Sequence, residues 1–219
     1  MKTSITKNKL AIFDFCDTLI DGQSVSLFLE FLREKQGFIK KNWLKLRSRF
    51  NAISSSDSLC YKNYRLKPYK GFSHDQLDEF AEEFFKQVLK KRVHQTVLER
   101  LIEHKKNKFT IIVVSGGFEI YLKKFAANFK VDKVLATKLA FRKDVFQGCI
   151  EGEECLGQKK IERLSKTINL DEYDLKNSFA YTDHESDIEL LELVGNPCVV
   201  KKKWASALWC RPKWTIMNV

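Results

Sequence analysis

Three short apolar runs, each ending at polar residues, constrain the fold of this chain most. They are "KLAIFDF", "KFTIIVVSGG" and "NSFAYTDHESD", and a weaker run, "NPCVV", lies near residue 198. Helical patterns such as "FEIYLKKFAANF", "GQKKIERLSKTI" and "SDIELLELVG" separate or follow them. Short apolar runs bounded by turn signals are typical of buried strands, and strands that alternate with helices predict a parallel sheet covered on both faces. We therefore expect an α/β protein with a doubly wound, Rossmann-like sheet.

Residues 21–105 follow a different pattern. They lack strand-like runs and show helical periodicity, as in "SVSLFLEFLREK", "DQLDEFAEEFFKQVLKKRV" and "QTVLERLIEHKK". We predict a core formed by residues 1–20 and 106–219, with an α-helical cap at 21–105 inserted after the first strand. Within the core, "DKVLATKLAFRKDVFQGCIEG" predicts a strand that runs into a β-hairpin.

The composition indicates the class of protein and the charge of its partners. The chain has 219 residues, enough for one sizeable domain with an insertion, and its formal net charge is +11. Such an excess of basic residues favours anionic partners: phosphorylated metabolites, nucleic acid or an acidic membrane surface. The six cysteines show no CxxC pair or zinc-like spacing, and neither a signal peptide nor a membrane-spanning apolar stretch is visible. We therefore expect a reduced, cytoplasmic protein.

Polar groups at the predicted strand ends and helix starts indicate the chemistry. Asp14, Ser115 and Asp183 follow the three strands, and Lys160 and Asp187 lie at helix starts. In a parallel sheet, ligands bind beyond the carboxyl ends of the strands. One carboxylate can attack a phosphate monoester, two others can bind Mg²⁺, and a hydroxyl, glycine N–H groups and an ammonium can hold the phosphoryl oxygens. The set predicts phosphoryl transfer.

These residues stand in four motifs that resemble those of the haloacid dehalogenase (HAD) superfamily, most of all its phosphoserine-phosphatase-like branch (subfamily IB). The motifs are "FDFCDTL", "VVSGG", "GQKKIERL" and "YTDHESDIELLELVG". The resemblance spans the whole core, and the predicted cap lies where that branch carries its own. It implies a Mg²⁺-dependent phosphatase of the HAD type.

The resemblance also implies a role for individual residues. Asp14 would be the nucleophile, and Lys160 would be the lysine of the third motif. The residues implied to bind the phosphoryl group or to shape its loop are Thr18, Ser115, Gly116 and Gly117. The implied Mg²⁺ ligands are the carboxylates of Asp14, Asp183 and Asp187 and the backbone carbonyl of Cys16.

The first motif departs from the family pattern. The family places a second Asp two residues after the nucleophile, where it protonates the leaving oxygen and then activates water. Here that position is Cys16, and Asp17 falls one residue late, so its side chain points the opposite way in an extended chain. Three explanations stay open. The loop is re-bent so that Asp17, or another group such as His184 or Glu185, transfers the proton; Cys16 gives a slow enzyme, since acid–base catalysis contributes about 10²–10⁴-fold; or the protein transfers the phosphoryl group or only binds phosphate.

Two residues bear on the substrate. In phosphoserine phosphatases an acidic residue shortly after the first motif recognises the amino group, and the matching position here is Gln23, a neutral amide. This difference argues against phosphoserine. Arg65 is a candidate to bind a carboxylate or second phosphate from the cap, and an exposed cap arginine is the alternative of equal weight.

The segment "IKKNWLKLRSRFNAI" (39–53) suggests a second kind of partner. Its apolar residues fall on one helical stripe and all of its charges are basic. Such a helix can lie on an anionic membrane surface, or it can pack within the cap with its charges solvated. The C-terminal "KKKWASALWCRPKW" adds cations and three tryptophans. Nucleic acid is less favoured because no recognition module is visible.

We expect a Mg²⁺-dependent phosphatase that hydrolyses a phosphate monoester of a small molecule through an aspartyl-phosphate at Asp14. One alternative is a phosphate-binding or weakly active HAD-like protein. Another is a phosphatase or phosphotransferase that acts on lipid- or polymer-linked sugar phosphates at the membrane surface, which would place the protein at the periphery of the membrane.

Overall fold

The computed structural model describes residues 7–39 and 58–219 of the chain. Seven strands form one sheet: β1 (Leu10–Phe13), β2 (Thr110–Phe118), β3 (Lys133–Arg142), β4 (Val145–Glu151), β5 (Phe179–Thr182), β6 (Asn196–Lys201) and β7 (Thr215–Asn218). Their order across the sheet is β4-β3-β2-β1-β5-β6-β7. All neighbours run parallel except β3 and β4, which form the antiparallel hairpin expected from the sequence.

The helices are α1 (Ser24–Ile39), α2 (Ser58–Leu66), α3 (His74–Gln87), α4 (Gln95–Lys106), α5 (Glu119–Phe129), α6 (Gln158–Thr167) and α7 (Ile188–Glu192). The first four lie between β1 and β2, where the sequence predicts the helical insertion. Local chemistry sets some of their ends. At the start of α3, for example, the Ser73 side chain accepts a hydrogen bond from the backbone of Gln76, whose own side chain accepts one from the backbone of Ser73.

Helices cover both faces of the sheet. In β1, Ala11 and Phe13 belong to the core that includes buried residues of α1, α3, α4 and α5. Leu10 and Ile12 belong to the opposite core, with buried residues of α6 and α7. A strand buried on both faces must be apolar at successive positions, which is why it appears in the sequence as a continuous apolar run. The doubly wound α/β fold is confirmed.

Helix α4 packs against the sheet although it falls within the range predicted for the cap. Its His104 is buried, and the Nε2 atom lies 2.8 Å from the hydroxyl of Tyr181 on β5. The His104 ring also contacts those of Phe109 and Phe179. The predicted boundary after residue 105 therefore falls near the end of a helix that contacts the core, and the extent of the cap stays a prediction.

Most of the basic segment at 39–53 lies outside the described residues, so its membrane-surface role stays a prediction. Within residues 7–39 and 58–219, no helix is long and apolar enough to cross a membrane. The C-terminal basic stretch leads into β7, a strand that the sequence did not predict. Cysteines 16, 149, 155, 198 and 210 are free thiols.

Candidate active site

The carboxyl ends of β1, β2 and β5 meet at one edge of the sheet. Because β2 and β5 flank β1, the connections leave β1 on opposite sides, and ligands bind at such a reversal of strand order. A cavity of about 670 Å³ opens there. Every site residue predicted from the sequence lines it except Asp17 and Thr18. The structure thus gathers around one cavity residues from four motifs and from α1 and α2, which lie in the range predicted for the cap and form what we call its cap side.

Lys160, at the start of α6, joins two carboxylates. Its Nζ donates to Asp14 Oδ1 at 2.7 Å and to Asp187 Oδ2 at 2.5 Å, and all three side chains are buried. Burial lowers the pKa of Lys160, but the charges of Asp14 and Asp187 raise it by more, so the ammonium form is maintained. Burial raises the pKa of Asp14 above its ordinary value, while the Lys160 ammonium acts in the opposite direction.

The carboxylates at this edge carry more negative charge than their partners balance. Among the described residues, Asp187 Oδ1 is a buried oxygen without a hydrogen-bond partner. Burial, followed by the charges of Asp14 and Asp17, raises the pKa of Asp183 to about 7, although Thr18 Oγ1 donates to it at 3.2 Å. Within the described ranges, no group of three Asp, Glu, His or Cys side chains is arranged to hold a metal ion by itself. A cation here would need further ligands, such as backbone carbonyls or water.

Ser115–Gly117 form a closely packed bulge near the end of β2, where the pairing with β3 changes register. The Gly117 N–H donates to Ser115 Oγ at 3.0 Å. A Cβ on Gly117 would lie 2.8 Å from both Ser24 Oγ and Tyr121 OH, closer than atoms of this kind approach. Glycine is therefore required here by packing against the first cap helix and α5.

Cys16 occupies the cavity wall next to the predicted nucleophile. Its Sγ accepts a hydrogen bond from the Ser24 N–H at 3.3 Å and lies 3.1 Å from Ser24 Oγ. Ser24 Oγ in turn lies 2.8 Å from Tyr121 OH, which accepts from the Phe118 N–H. Burial, and then the charge of Asp14, raises the pKa of the Cys16 thiol to about 11. The thiol is therefore protonated at neutral pH.

Asp17 is turned away from the cavity. It adopts a left-handed conformation with φ of +52°, and its carboxylate accepts from the Gly22 N–H at 3.0 Å and from Gln23 Nε2 at 2.6 Å. The direction of this side chain is set by the left-handed turn at Asp17 and not by alternation in an extended chain. Of the other candidates for proton transfer, His184 lines the cavity and Glu185 does not.

The cap side of the cavity is more basic than the sequence analysis indicated. Arg65 lines it, and its Nη1 donates to Ser26 Oγ at 3.1 Å. Lys62 also lines it, donates to the Gly116 carbonyl at 3.1 Å and forms a buried ion pair with Glu154. The sequence analysis missed Lys62 and Glu154. The available signal was that Lys62 precedes Arg65 by three residues, which places both on one helix face.

Comparisons with known proteins agree with this geometry. The family model for haloacid dehalogenase-like hydrolases matches residues 11–192. Phosphoserine phosphatase of Methanocaldococcus jannaschii is 24% identical over 190 residues, which cover 86% of the chain and 83% of that protein. Histidinol-phosphatase of Neisseria meningitidis serogroup C is 25% identical over 224 residues, which cover 95% and 98%.

A solved structure shows the same fold. A protein of unknown function from Bordetella pertussis Tohama I superimposes with a TM-score of 0.73 at 19% identity, covering 97% of this chain and 99% of that one. The family model, in turn, spans the strands and helices that carry all four motifs. The family predicted from the motifs is thereby confirmed, and the chain belongs to the haloacid dehalogenase-like hydrolases.

Proposed function

We propose that the chain hydrolyses a phosphate monoester of a small molecule through an aspartyl-phosphate on Asp14, with Mg²⁺ as cofactor. The observation that carries this proposal is the buried Lys160 ammonium, which lies between Asp14 and Asp187 in the cavity that Ser115 also lines. A nucleophilic carboxylate, a fixed cation and a hydroxyl are thus gathered in one enclosed space. The names of the phosphoserine and histidinol phosphatase relatives support the same reaction class.

The reaction follows from the roles of these groups. An oxygen of Asp14 attacks phosphorus, the bond from phosphorus to the leaving oxygen breaks, and the leaving group departs with the electron pair. Ser115 and the Gly116 N–H bind the phosphoryl oxygens, while Lys160 stabilises the charge that builds on them. Water then attacks phosphorus, the bond to Asp14 breaks, and inorganic phosphate and the free carboxylate result.

The donor set at this edge fits Mg²⁺. The ion prefers oxygen ligands, usually takes one or two carboxylates and keeps several waters. The unpartnered Asp187 Oδ1 and the raised pKa of Asp183 mark oxygens that a further cation would stabilise. Asp14, Asp183, Asp187 and the Cys16 carbonyl would hold the ion. When bound, it would neutralise charge on the phosphoryl oxygens and orient them.

The cap side of the cavity selects the substrate in this proposal. Arg65 lines it and favours an anionic small molecule, whereas Gln23 is engaged by Asp17 and carries no charge for an amino group. The proposed substrate is therefore a phosphorylated metabolite, and the proposed location of the protein is the cytoplasm.

Phosphate release from a broad panel of monoesters, with and without Mg²⁺, tests the proposal. We expect Mg²⁺-dependent release by the wild type and none above background by Asp14→Asn. Asp144→Asn is the matched control, because Asp144 is exposed in the β3–β4 turn with φ of +60°, a conformation that Asn tolerates. Equal activity of Asp14→Asn and the wild type overturns the enzyme proposal.

A further inference from the structure

We propose that this site acts on monoesters whose leaving oxygen belongs to an acidic hydroxyl, such as a phenolic, enolic or anomeric one, and discriminates against esters of primary alkyl alcohols. This inference rests on the proposed function. It concerns the proton that an alkyl leaving group needs as its bond to phosphorus breaks, because an alkoxide is a strong base whereas the anion of an acidic hydroxyl is stable without a proton.

Three carboxyl groups of the described residues line the cavity, those of Asp14, Asp183 and Asp187. Asp14 is the attacking group, Asp187 accepts from Lys160, and Asp183 accepts from Thr18. In the proposed function Asp183 and Asp187 bind Mg²⁺ as carboxylates, so none of the three is placed as an uncommitted acid and the described part of the cavity supplies no carboxylic proton to the leaving oxygen.

Neither Cys16 nor Asp17 presents a free carboxylic acid to the leaving oxygen. Cys16 presents a thiol, a weak hydrogen-bond donor, and its sulfur is engaged by the N–H and the hydroxyl of Ser24. That hydroxyl continues to buried Tyr121, not to a carboxylate. The acid next in the chain, Asp17, has both oxygens bound to the backbone N–H of Gly22 and the amide of Gln23. Reaching the leaving oxygen would require Asp17 to break both hydrogen bonds.

Two further groups enter the test as variants. His184 lines the cavity, with Nδ1 accepting from the Ser186 N–H, so its neutral ring carries the proton on Nε2. Asp57 is the only carboxylic acid among residues 1–6 and 40–57 of the sequence, which lie outside the described ranges.

The experiment is a leaving-group series. kcat/KM is measured for aryl phosphates from nitrophenyl to phenyl, whose phenol has a pKa of about 10, and for a primary alkyl phosphate. In the wild type we expect kcat/KM to fall steeply with leaving-group pKa, and kcat to be the same for those aryl esters whose aspartyl-phosphate forms faster than it breaks down. Cys16→Asp should raise kcat/KM for the alkyl ester by about 10²–10⁴-fold and that for the nitrophenyl ester little. Cys16→Ser, the matched control of similar size, should keep the steep dependence.

The outcomes separate this inference from the proposed function. Asp14-dependent hydrolysis with a flat wild-type series keeps the phosphatase and overturns the leaving-group inference, whether or not Cys16→Asp folds. A dependence that steepens in Asp17→Asn, His184→Gln or Asp57→Asn identifies that residue as the proton donor and also overturns the inference. Lack of Asp14-dependent turnover of every ester overturns both.

Discussion

The cavity has two sides that differ in how firmly their polar groups are fixed. On the core side, Asp14, Ser115, Lys160 and Asp187 are buried at strand ends and helix starts, and Lys160 donates hydrogen bonds to both Asp14 and Asp187. On the cap side, Lys62 is buried in its pair with Glu154, but Arg65 is half-buried and Tyr61 on the same helix is 41% exposed. A preorganised core side suits the chemical step, which every substrate shares, whereas the looser cap side suits selection. In the proposed function, reaction and specificity are thus assigned to different parts of the chain.

The largest loss of activity is expected from a substitution on the core side, at Lys160. Lys160→Met removes the ammonium between Asp14 and Asp187, and we expect kcat to fall by about 10²–10³-fold, as for loss of a fixed charge-stabilising group. Lys159→Met is the matched control, since Lys159 pairs with Glu153 and Glu162 at the surface and such pairs contribute little. Steady-state kinetics measure both. Similar losses of kcat in the two variants would contradict the proposal that the core side is preorganised around Lys160.

The second largest loss of activity is expected at Gly117, in the segment Ser115–Gly117 that contacts both sides of the cavity. Gly117→Ala places a Cβ against Ser24 Oγ and Tyr121 OH, so the segment must shift, and a shift of about 1 Å costs on the order of 10²-fold in rate. Gly152→Ala is the control for stability alone, because nothing lies within 4 Å of its Cβ although its φ is +67°. Wild-type kcat/KM in Gly117→Ala would show that the segment does not position phosphate.

A third prediction concerns stability far from either side. Burial lowers the pKa of His104 to about 4, whereas the unfolded chain binds a proton near pH 6.5. The free energy of unfolding should therefore decrease as the pH falls from about 6.5 to 4, by about 2–3 kcal/mol. Urea unfolding across this range should show that decrease in the wild type and a smaller one in His104→Phe. His74→Gln, at an exposed position, controls for loss of an imidazole.

The smallest loss of activity is expected from a substitution on the cap side, at Lys62. Lys62→Met removes the hydrogen bond to the Gly116 carbonyl and the ion pair with Glu154, and we expect kcat/KM to fall about tenfold for all monoesters. Lys67→Met, at an exposed position in the same segment, should behave as the wild type. A loss restricted to substrates with a second anionic group would instead assign Lys62 to specificity.

The sequence predicted what local patterns determine. Apolar runs predicted β1, β2 and β5, because a strand buried on both faces needs apolar residues at successive positions. The polar residues at the carboxyl ends of these strands then predicted the core side of the site. By contrast, β7 is a short strand with mostly exposed residues, so it offers no such signal. The sequence predicted different directions for Asp14 and Asp17 from alternation in an extended chain, but Asp17 lies in a left-handed turn that local patterns do not reveal.

Contacts between distant segments could not be predicted. Lys62 and Glu154 are 92 residues apart, and the contact of Ser24 with Tyr121 depends on how α1 meets α5. The amphipathic pattern of α4 predicts a buried stripe but not the layer that covers it, so its packing on the sheet was also not predictable.

The buried pair of Lys62 and Glu154 makes docking of the cap and order in the segment Ser115–Gly117 a single equilibrium. Lys62 belongs to α2, and its ammonium pairs with Glu154 and donates to the Gly116 carbonyl. Separating α2 from the core would therefore hydrate two charges and remove one of the two hydrogen bonds to that carbonyl, the other being donated by Thr137. By linkage, a ligand that orders the segment also favours the docked cap, and to the same extent. Phosphate bound in the cavity would thus act as the signal for closure, without a separate sensor.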